Sequence, residues 1–283
     1  MNIKMRGKEA MTKKKEQKKT TNNKKIIKNA IRIIFKFMPI KWMSRKGLFE
    51  IWEEKGVHIT PVHFYEPIPY TKEIKEEDWK RKPLKEYMLF NKKAEERINK
   101  MVKKYGKELK ENEISKGQSS FEHKKILYSI IRGTKPKRII EIGSGATTEV
   151  MIKANKHKGK LTSIDPYGKK RKGVKMVKKK LEDYEGKIEK ELKKRDILFI
   201  DSTHNVKIGN DVWKLYLNII PKLKKGIIIH IHDINIEGEY DKEFVKSNRI
   251  FWNEQYLLEC FLMFNKEFEI IYKGKEFVWI KRK

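Results

Sequence analysis

The chain has 283 residues and a formal net charge of +31, with 69 Lys and Arg against 38 Asp and Glu. Its length suits one or two domains of about 150 residues each, and its 38% hydrophobic content excludes a largely disordered chain. The charge excludes an acidic or near-neutral surface, and the single cysteine, Cys260, excludes both an intramolecular disulfide framework and a cysteine-rich zinc site.

Most of the positive charge comes from Lys, which supplies 58 of the basic residues against 11 Arg. Specific phosphate or base recognition usually favours Arg. We therefore interpret the excess of Lys mainly as a general compositional bias, and only secondarily as a binding surface. No secretory signal pattern and no apolar run of 18 residues is visible. With a single cysteine, these features predict a cytoplasmic protein.

The N-terminal 28 residues hold 11 basic and two acidic residues, and residues 1–24 are predicted to be a disordered basic tail. An amphipathic helix is predicted next. Its apolar face carries Ile27, Ala30, Ile31, Ile34 and Met38, and its basic face carries Lys25, Lys28, Arg32 and Lys36. Two interpretations stay open: the helix packs on its own domain, or residues 25–38 contact the inner face of an anionic membrane.

Residues 25–118 are predicted to combine this helix with a helical and irregular cap region. Residues 56–69 contain three prolines together with His58 and His63. These histidines either pack within the loop or fold over a pocket. The main domain is predicted over residues 119–283.

From residue 121 onward, helices alternate with short apolar strands. Strands are predicted at 138–142, 160–165, 196–201 and 226–234, and helices at 121–132, 146–155, 211–223 and 251–264. Residues 268–273 and 276–281 are predicted to form a terminal hairpin. The predicted fold class is therefore α/β, with a doubly wound, mostly parallel sheet, a C-terminal antiparallel hairpin and a helical N-terminal extension.

Polar residues follow the predicted strands, at the sheet edge where α/β proteins bind ligands. Gly143 and Gly145 allow a tight turn, and Asp165 ends the next strand, where an acid accepts hydrogen bonds from ribose hydroxyls. Thr148 stands where a dinucleotide-binding fingerprint has its third glycine, which disfavours NAD. Glu141, two residues before Gly143, favours a different nucleoside cofactor. The alternative is a strand-to-helix turn that binds nothing.

A second group of residues suits proton transfer and metal binding. His204 follows Asp201 by three residues, and Asp201 and Asp233 end neighbouring strands. An imidazole suits proton removal from a hydroxyl, and two carboxylates suit Mg²⁺ or a similar ion. The alternative is that Asp201 caps a loop and His204 is a turn residue.

Five further side chains are assigned less specific roles. His230 is interpreted as structural and Cys260 as buried filler. Glu254, with its neighbours Asn253 and Tyr256, either faces an acceptor or lies on a helix surface.

Four segments resemble the class I S-adenosylmethionine-dependent methyltransferases, in particular the small-molecule O-methyltransferases and cephalosporin-hydroxylase-like proteins: Arg138–Thr148, Ser163–Pro166, Leu198–His204 and His230–Ile234. The resemblance covers roughly residues 120–283 and implies a Rossmann-like fold. It implies S-adenosylmethionine as cofactor, bound by Glu141, Gly143, Ser144, Gly145, Asp165 and Asp201. It also implies His204 as catalytic base and a divalent cation at Asp201, His232 and Asp233. His232 replaces an expected acid, which leaves the identity and the presence of the metal open.

We therefore predict O-methylation of a hydroxylated small molecule or glycan. One alternative is a nucleic-acid methyltransferase, prompted by the positive charge. The other is a noncatalytic module that retains the fold for binding or for membrane association.

Overall fold

The computed structural model describes residues 26–34, 36–37, 43–44, 46–115, 117 and 119–283. The predicted basic tail over residues 1–24 therefore lies outside the described residues, as do Lys25 and Met38 of the predicted amphipathic helix. The chain divides into two compact units, with the boundary after Ile74.

In the first unit, residues 26–34 and 36–37 are helical, and every one of these residues is exposed. Helix α1 follows at Lys46–Glu54. Beyond it the chain is irregular, consistent with the three prolines between residues 61 and 69. No described helix combines the length and the apolar character needed to cross a bilayer.

The second unit is built on a sheet of seven strands: β1 (Arg138–Ile142), β2 (Lys160–Ile164), β3 (Val174–Val177), β4 (Ile197–Ile200), β5 (Ile228–His232), β6 (Phe268–Lys273) and β7 (Phe277–Arg282). Its helices are α2 (Lys92–Tyr105), α3 (Phe121–Thr134), α4 (Ala146–Ala154), α5 (Ile188–Glu191), α6 (Asp211–Lys214), α7 (Lys242–Lys246) and α8 (Glu254–Leu262). A π-helical turn and a 3₁₀ turn extend α6 through Lys222.

The strand order is β3-β2-β1-β4-β5-β7-β6. Strands β1 to β5 pair in parallel, and β7 is antiparallel to both β5 and β6. The predicted doubly wound, mostly parallel sheet with a closing antiparallel hairpin is confirmed. The chain crosses from the β3 edge back to β4 beside β1, so the topological switch point lies between β1 and β4.

Both faces of the sheet are covered, because successive strand residues point to opposite faces. Leu198 and Ile200 of β4 pack in a cluster with α6 and α8, whereas Ile197 and Phe199 pack in a cluster with α2, α3 and α4. The central strands are accordingly apolar along their whole length, as expected for strands buried on both faces.

Helix α2, which the sequence analysis placed in the cap region, packs against α3 within the second unit. Its buried residues Ala94 and Ile98 join the α3 cluster. Just before the helix, the backbone N–H of Asn91 donates to the carbonyl of Ile270 at 2.8 Å. The segment is thereby tied to the C-terminal hairpin.

Candidate functional site

The turn after β1 is held against β2 and β4. The Gly143 N–H donates to the Ile164 carbonyl at 3.0 Å, and the Ser163 hydroxyl donates to the Gly143 carbonyl at 3.1 Å. Gly143 has a φ of +84°, and a Cβ placed there would lie 2.3 Å from the carbonyl oxygen of Asp201. Only glycine fits this close approach between the ends of β1 and β4.

Asp165 lies beside this turn, at the end of β2. Its Oδ2 accepts a hydrogen bond from the Ser144 hydroxyl at 2.5 Å, and its Oδ1 accepts from the backbone N–H of Tyr167 at 2.7 Å. The two bonds fix the carboxylate at the carboxyl edge of the sheet. Ser144 thereby connects the glycine turn to the acid at the end of the neighbouring strand.

Glu141 lies in the interior rather than on the surface of the cleft, with a side chain that is fully buried. Its Oε1 accepts from the Thr148 hydroxyl of α4 at 2.8 Å. Burial raises the pKa of Glu141 to about 8, against weaker opposing effects of the Ser163 and Thr148 hydroxyls. The carboxyl is therefore protonated at neutral pH and carries no charge.

The ends of β4 and β5 bring His204 between two carboxylates. Its Nε2 lies 3.5 Å from Asp201 Oδ1 and 3.5 Å from Asp233 Oδ2. The donor atoms of these three residues all lie within 4.8 Å of one another. The juxtaposition predicted for Asp201, Asp233 and His204 is therefore present.

The charge around His204 favours its protonated form. Burial lowers its pKa, but hydrogen bonds to Asp201 and Glu254 and the charge of Asp233 outweigh that effect and raise the pKa to about 10. In Asp201, burial raises the pKa, and the His204 hydrogen bond and the His232 charge lower it below the usual value. These interactions favour the protonated form of His204 and the charged form of Asp201.

The opposite side of the His204 ring is held by the start of α8. Its Nδ1 lies 2.9 Å from Glu254 Oε2, which also accepts from the Ser202 hydroxyl at 2.6 Å. The Trp252 ring lies against the imidazole, with 4.2 Å between centroids. From the sequence, Glu254 either faces an acceptor or lies on a helix surface, and its complete burial excludes the helix surface.

His232 lies on the other side of Asp233. Its Nδ1 is 2.9 Å from Asp233 Oδ1 and 3.8 Å from Asp201 Oδ1, and its Nε2 is 3.0 Å from the Ser119 hydroxyl. Among the described residues, the group of possible ligands whose donor atoms lie within 4.8 Å of one another contains His204 rather than His232. His232 therefore faces the same two acids from the α3 side.

His230 lies deeper, as its structural interpretation requires. Its Nε2 is 3.2 Å from Nε2 of His123 on α3, and burial lowers the pKa of both histidines well below the usual value. Both rings are therefore neutral at physiological pH and form part of the core between β5 and α3.

The remaining candidates have the following partners and exposure. His58 pairs with Glu53 at 3.1 Å and His63 stacks on Phe64, and both histidines are exposed. Tyr256 donates to Glu239 at 2.6 Å. Cys260, expected to be buried filler, is exposed, because it lies on the outward face of α8.

The central part of the second unit matches one family model. Residues 140–234 match the family model described as a methyltransferase domain. This range contains the glycine turn, Asp165, Asp201, His204 and Asp233. The search of curated protein sequences found no match to this chain.

Solved structures of methyltransferases are distantly similar. The SAH-bound methyltransferase PaMTH1 of Podospora anserina is 15% identical, with a TM-score of 0.41 over 70% of this chain and 92% of that one. The O-methyltransferase of Bacillus cereus, in complex with SAH, is 14% identical, with a TM-score of 0.38 over 71% and 95%. The O-methyltransferase TomG of Streptomyces achromogenes, solved with SAM, is 13% identical, with a TM-score of 0.39 over 74% and 99%.

Proposed function

We propose that this chain, whose residues 140–234 match the methyltransferase family model, transfers the methyl group of S-adenosylmethionine to a hydroxyl oxygen of a small molecule or glycan. The supporting observation is the position of His204 Nε2, 3.5 Å from both Asp201 and Asp233 at the carboxyl ends of β4 and β5. Methyl transfer to oxygen requires the hydroxyl proton to be removed as the oxygen attacks the sulfonium methyl. His204 is proposed as the base that receives it.

The cofactor is proposed to bind along the glycine turn. Gly143, Ser144 and Gly145 form the floor, Asp165 accepts hydrogen bonds from the ribose hydroxyls, and Asp201 closes the cleft beside the methionine part. Glu141 supports this turn from the interior, as an uncharged carboxyl bound to Thr148. Asp165 suits its role because Ser144 and Tyr167 already fix its orientation.

Asp165→Ala is expected to weaken binding of S-adenosylhomocysteine about tenfold to a hundredfold, because two hydrogen bonds to a charged acceptor are lost. Isothermal titration calorimetry measures the affinity. Asp183→Ala, which removes an exposed acid between β3 and α5, serves as the matched control and should bind normally. Equal affinity of the Asp165 variant and the control would contradict the proposed cofactor site.

We also propose that Asp201 and Asp233, with His232, bind a divalent cation. Two carboxylates and an imidazole fit Mg²⁺ or Mn²⁺, and such an ion lowers the pKa of a hydroxyl that binds to it. The carboxylates of Asp201 and Asp233 contribute to the raised pKa of His204. A cation held there would offset their negative charge and lower the pKa of His204, so that Nε2 would lose its proton and be available as the base.

Asp233→Asn is expected to weaken Mn²⁺ binding at least about tenfold, because a charged ligand is replaced by a neutral amide. Titration calorimetry with Mn²⁺ measures this without any acceptor. His204→Asn should retain the affinity of the wild type if His204 is the base. A loss in the His204 variant equal to that in the Asp233 variant would reassign His204 as a metal ligand.

The acceptor class is tested by incubating the protein with labelled S-adenosylmethionine and separate pools of hydroxylated small molecules, glycans, RNA and DNA. Label in the small molecules or glycans, stable to conditions that cleave methyl esters, is the expected result. Label in nucleic acid would favour the alternative prompted by the charge of +31. Cofactor binding without transfer to any pool would favour a noncatalytic binding module.

Residues 25–38, of which 26–34 and 36–37 are described, are proposed to contact an anionic membrane surface. Ile27, Ile31 and Ile34 are 59, 46 and 58% exposed, and the flanking Lys28 and Arg32 carry positive charge. An exposed apolar row with basic residues on the opposite side suits a helix that lies in the headgroup region.

Ile31→Glu with Ile34→Glu is expected to reduce co-sedimentation of the full chain with phosphatidylglycerol vesicles at least about tenfold, because the apolar face can no longer be buried. Vesicles of phosphatidylcholine serve as the uncharged control and should bind weakly. Equal sedimentation of the wild type and the variant would exclude this helix as the contact.

A further inference from the structure

The Glu254 carboxylate is buried beside the His204 imidazole. It is fully buried at the first position of α8, 50 residues along the chain from His204. Burying a carboxylate is unfavourable unless hydrogen bonds and opposite charge compensate. Here the Ser202 hydroxyl and His204 Nδ1 approach the same oxygen, Oε2, at 2.6 and 2.9 Å. The N-terminus of α8 adds favourable partial positive charge.

The contact determines which imidazole nitrogen is free. An Nδ1–H that donates to Glu254 leaves Nε2 as the nitrogen that exchanges a proton with the cleft. Nε2 is also the nitrogen that faces Asp201 and Asp233, at 3.5 Å from each. A carboxylate on one side of an imidazole is a known means of fixing both tautomer and ring orientation in catalytic sites.

The backbone connects the same two segments. The N–H groups of Asn253 and Glu254 both donate to the His204 carbonyl, at 3.0 and 3.1 Å. The Asn253 side chain accepts from the backbone N–H of Val206 at 2.7 Å. His204 itself has a φ of +57°, an unfavourable conformation that must be held by its surroundings. The loop after β4 and the start of α8 therefore form one unit around the imidazole.

Farther along, α8 is anchored by two interactions that do not involve the site. The guanidinium of Arg81 donates to both carboxylate oxygens of Glu259, each at 2.9 Å. The Gln255 side chain accepts from the backbone N–H of Asn235 at 2.9 Å. Glu254 is thus presented to His204 from a helix with a fixed position.

We propose that Glu254 is the positioning residue of His204: its carboxylate accepts the Nδ1 proton and aims Nε2 at the point where the acceptor hydroxyl binds. The kinetic part of this assignment rests on the proposed methyl transfer, whereas the contact itself does not. Glu254 acts through His204 and is not assigned any contact with acceptor or cofactor.

The contact is tested by recording the imidazole N–H protons of the full chain by NMR. Because His204 is buried and its Nδ1 proton is bound to a carboxylate, wild type should show a downfield resonance that disappears in His204→Asn. The resonance should be lost or shifted upfield in Glu254→Gln and in Glu254→Asp. Glu267→Gln, which changes an exposed acid in the turn after α8, should leave it unchanged. An unchanged resonance in a folded Glu254 variant would overturn the proposal.

The kinetic consequence is measured with the acceptor found by the labelled-cofactor screen. Glu254→Gln should lower kcat about 10- to 100-fold, with the acceptor KM and the affinity for S-adenosylhomocysteine nearly unchanged. In a His204→Asn background the same substitution should cause no further loss, because the ring that it positions is absent. Independent, multiplicative losses would overturn the positioning role. Full activity of His204→Asn alone would instead refute His204 as base, and the NMR result would still decide the contact.

Discussion

His204→Asn is expected to lower kcat about 10²- to 10⁴-fold, the usual contribution of a general base, while leaving the affinity for S-adenosylhomocysteine unchanged. Asparagine is smaller than histidine and has no group that takes up a proton at neutral pH. The turn after β1 and the carboxylate of Asp165 are formed without His204, so the cofactor site should persist.

Transfer of labelled methyl groups to the identified acceptor measures kcat, and titration calorimetry measures cofactor affinity. His157→Asn is the matched control, because His157 donates to the Pro136 carbonyl near the opposite end of β1. It should reduce stability without a specific effect on kcat. Wild-type kcat in the His204 variant would exclude the base role, and a large loss of cofactor affinity would show that His204 supports the cleft itself.

The sequence predicted the convergence of Asp165, Asp201, His204 and Asp233 because it follows from topology. Buried parallel strands are apolar throughout and end in polar residues, and parallel strands have their carboxyl ends at one edge of the sheet. Each of these residues comes within about four positions of an apolar run, so locating the strands was sufficient to locate the site.

The role of Glu254 was not predictable in the same way. Its partner His204 lies 50 residues away, and the contact arises only because α8 begins beside the loop after β4. Local periodicity gives no information about such a contact, since it concerns one element at a time. A charged residue at the first turn of a helix also has an ordinary explanation in the helix dipole.

The edge strand β3 was missed for a different reason. Its sequence, Val-Lys-Met-Val, is followed by three lysines, and its residues are only partly buried. An edge strand needs little apolar content, and flanking Lys residues discourage pairing with other chains. The sequence of such a strand differs little from the sequence of a charged loop.

The close approach of β1 and β4 makes Gly143 the position where a small change should have the largest structural effect. With φ at +84°, any side chain costs about 1–2 kcal/mol for the left-handed conformation. The added Cβ of Gly143→Ala would also lie 2.3 Å from the carbonyl oxygen of Asp201, which is backbone and has little freedom to move. Separating these strand ends displaces Asp201 and with it the His204 loop. We expect Gly143→Ala to lower the free energy of unfolding by about 3 kcal/mol or more, and to abolish cofactor binding.

Gly145, two residues farther on, provides the matched control. A Cβ at Gly145 meets no atom within 4 Å, and its φ of −165° is available to any residue. The free energy of unfolding of Gly145→Ala, measured in urea, should therefore lie within about 0.5 kcal/mol of the wild-type value. Any loss of cofactor affinity in this control would reflect the methyl group entering the cleft rather than a damaged fold. Equal stability of the two alanine variants would mean that the ends of β1 and β4 can move apart to accommodate a side chain. That result would contradict the requirement for glycine at position 143.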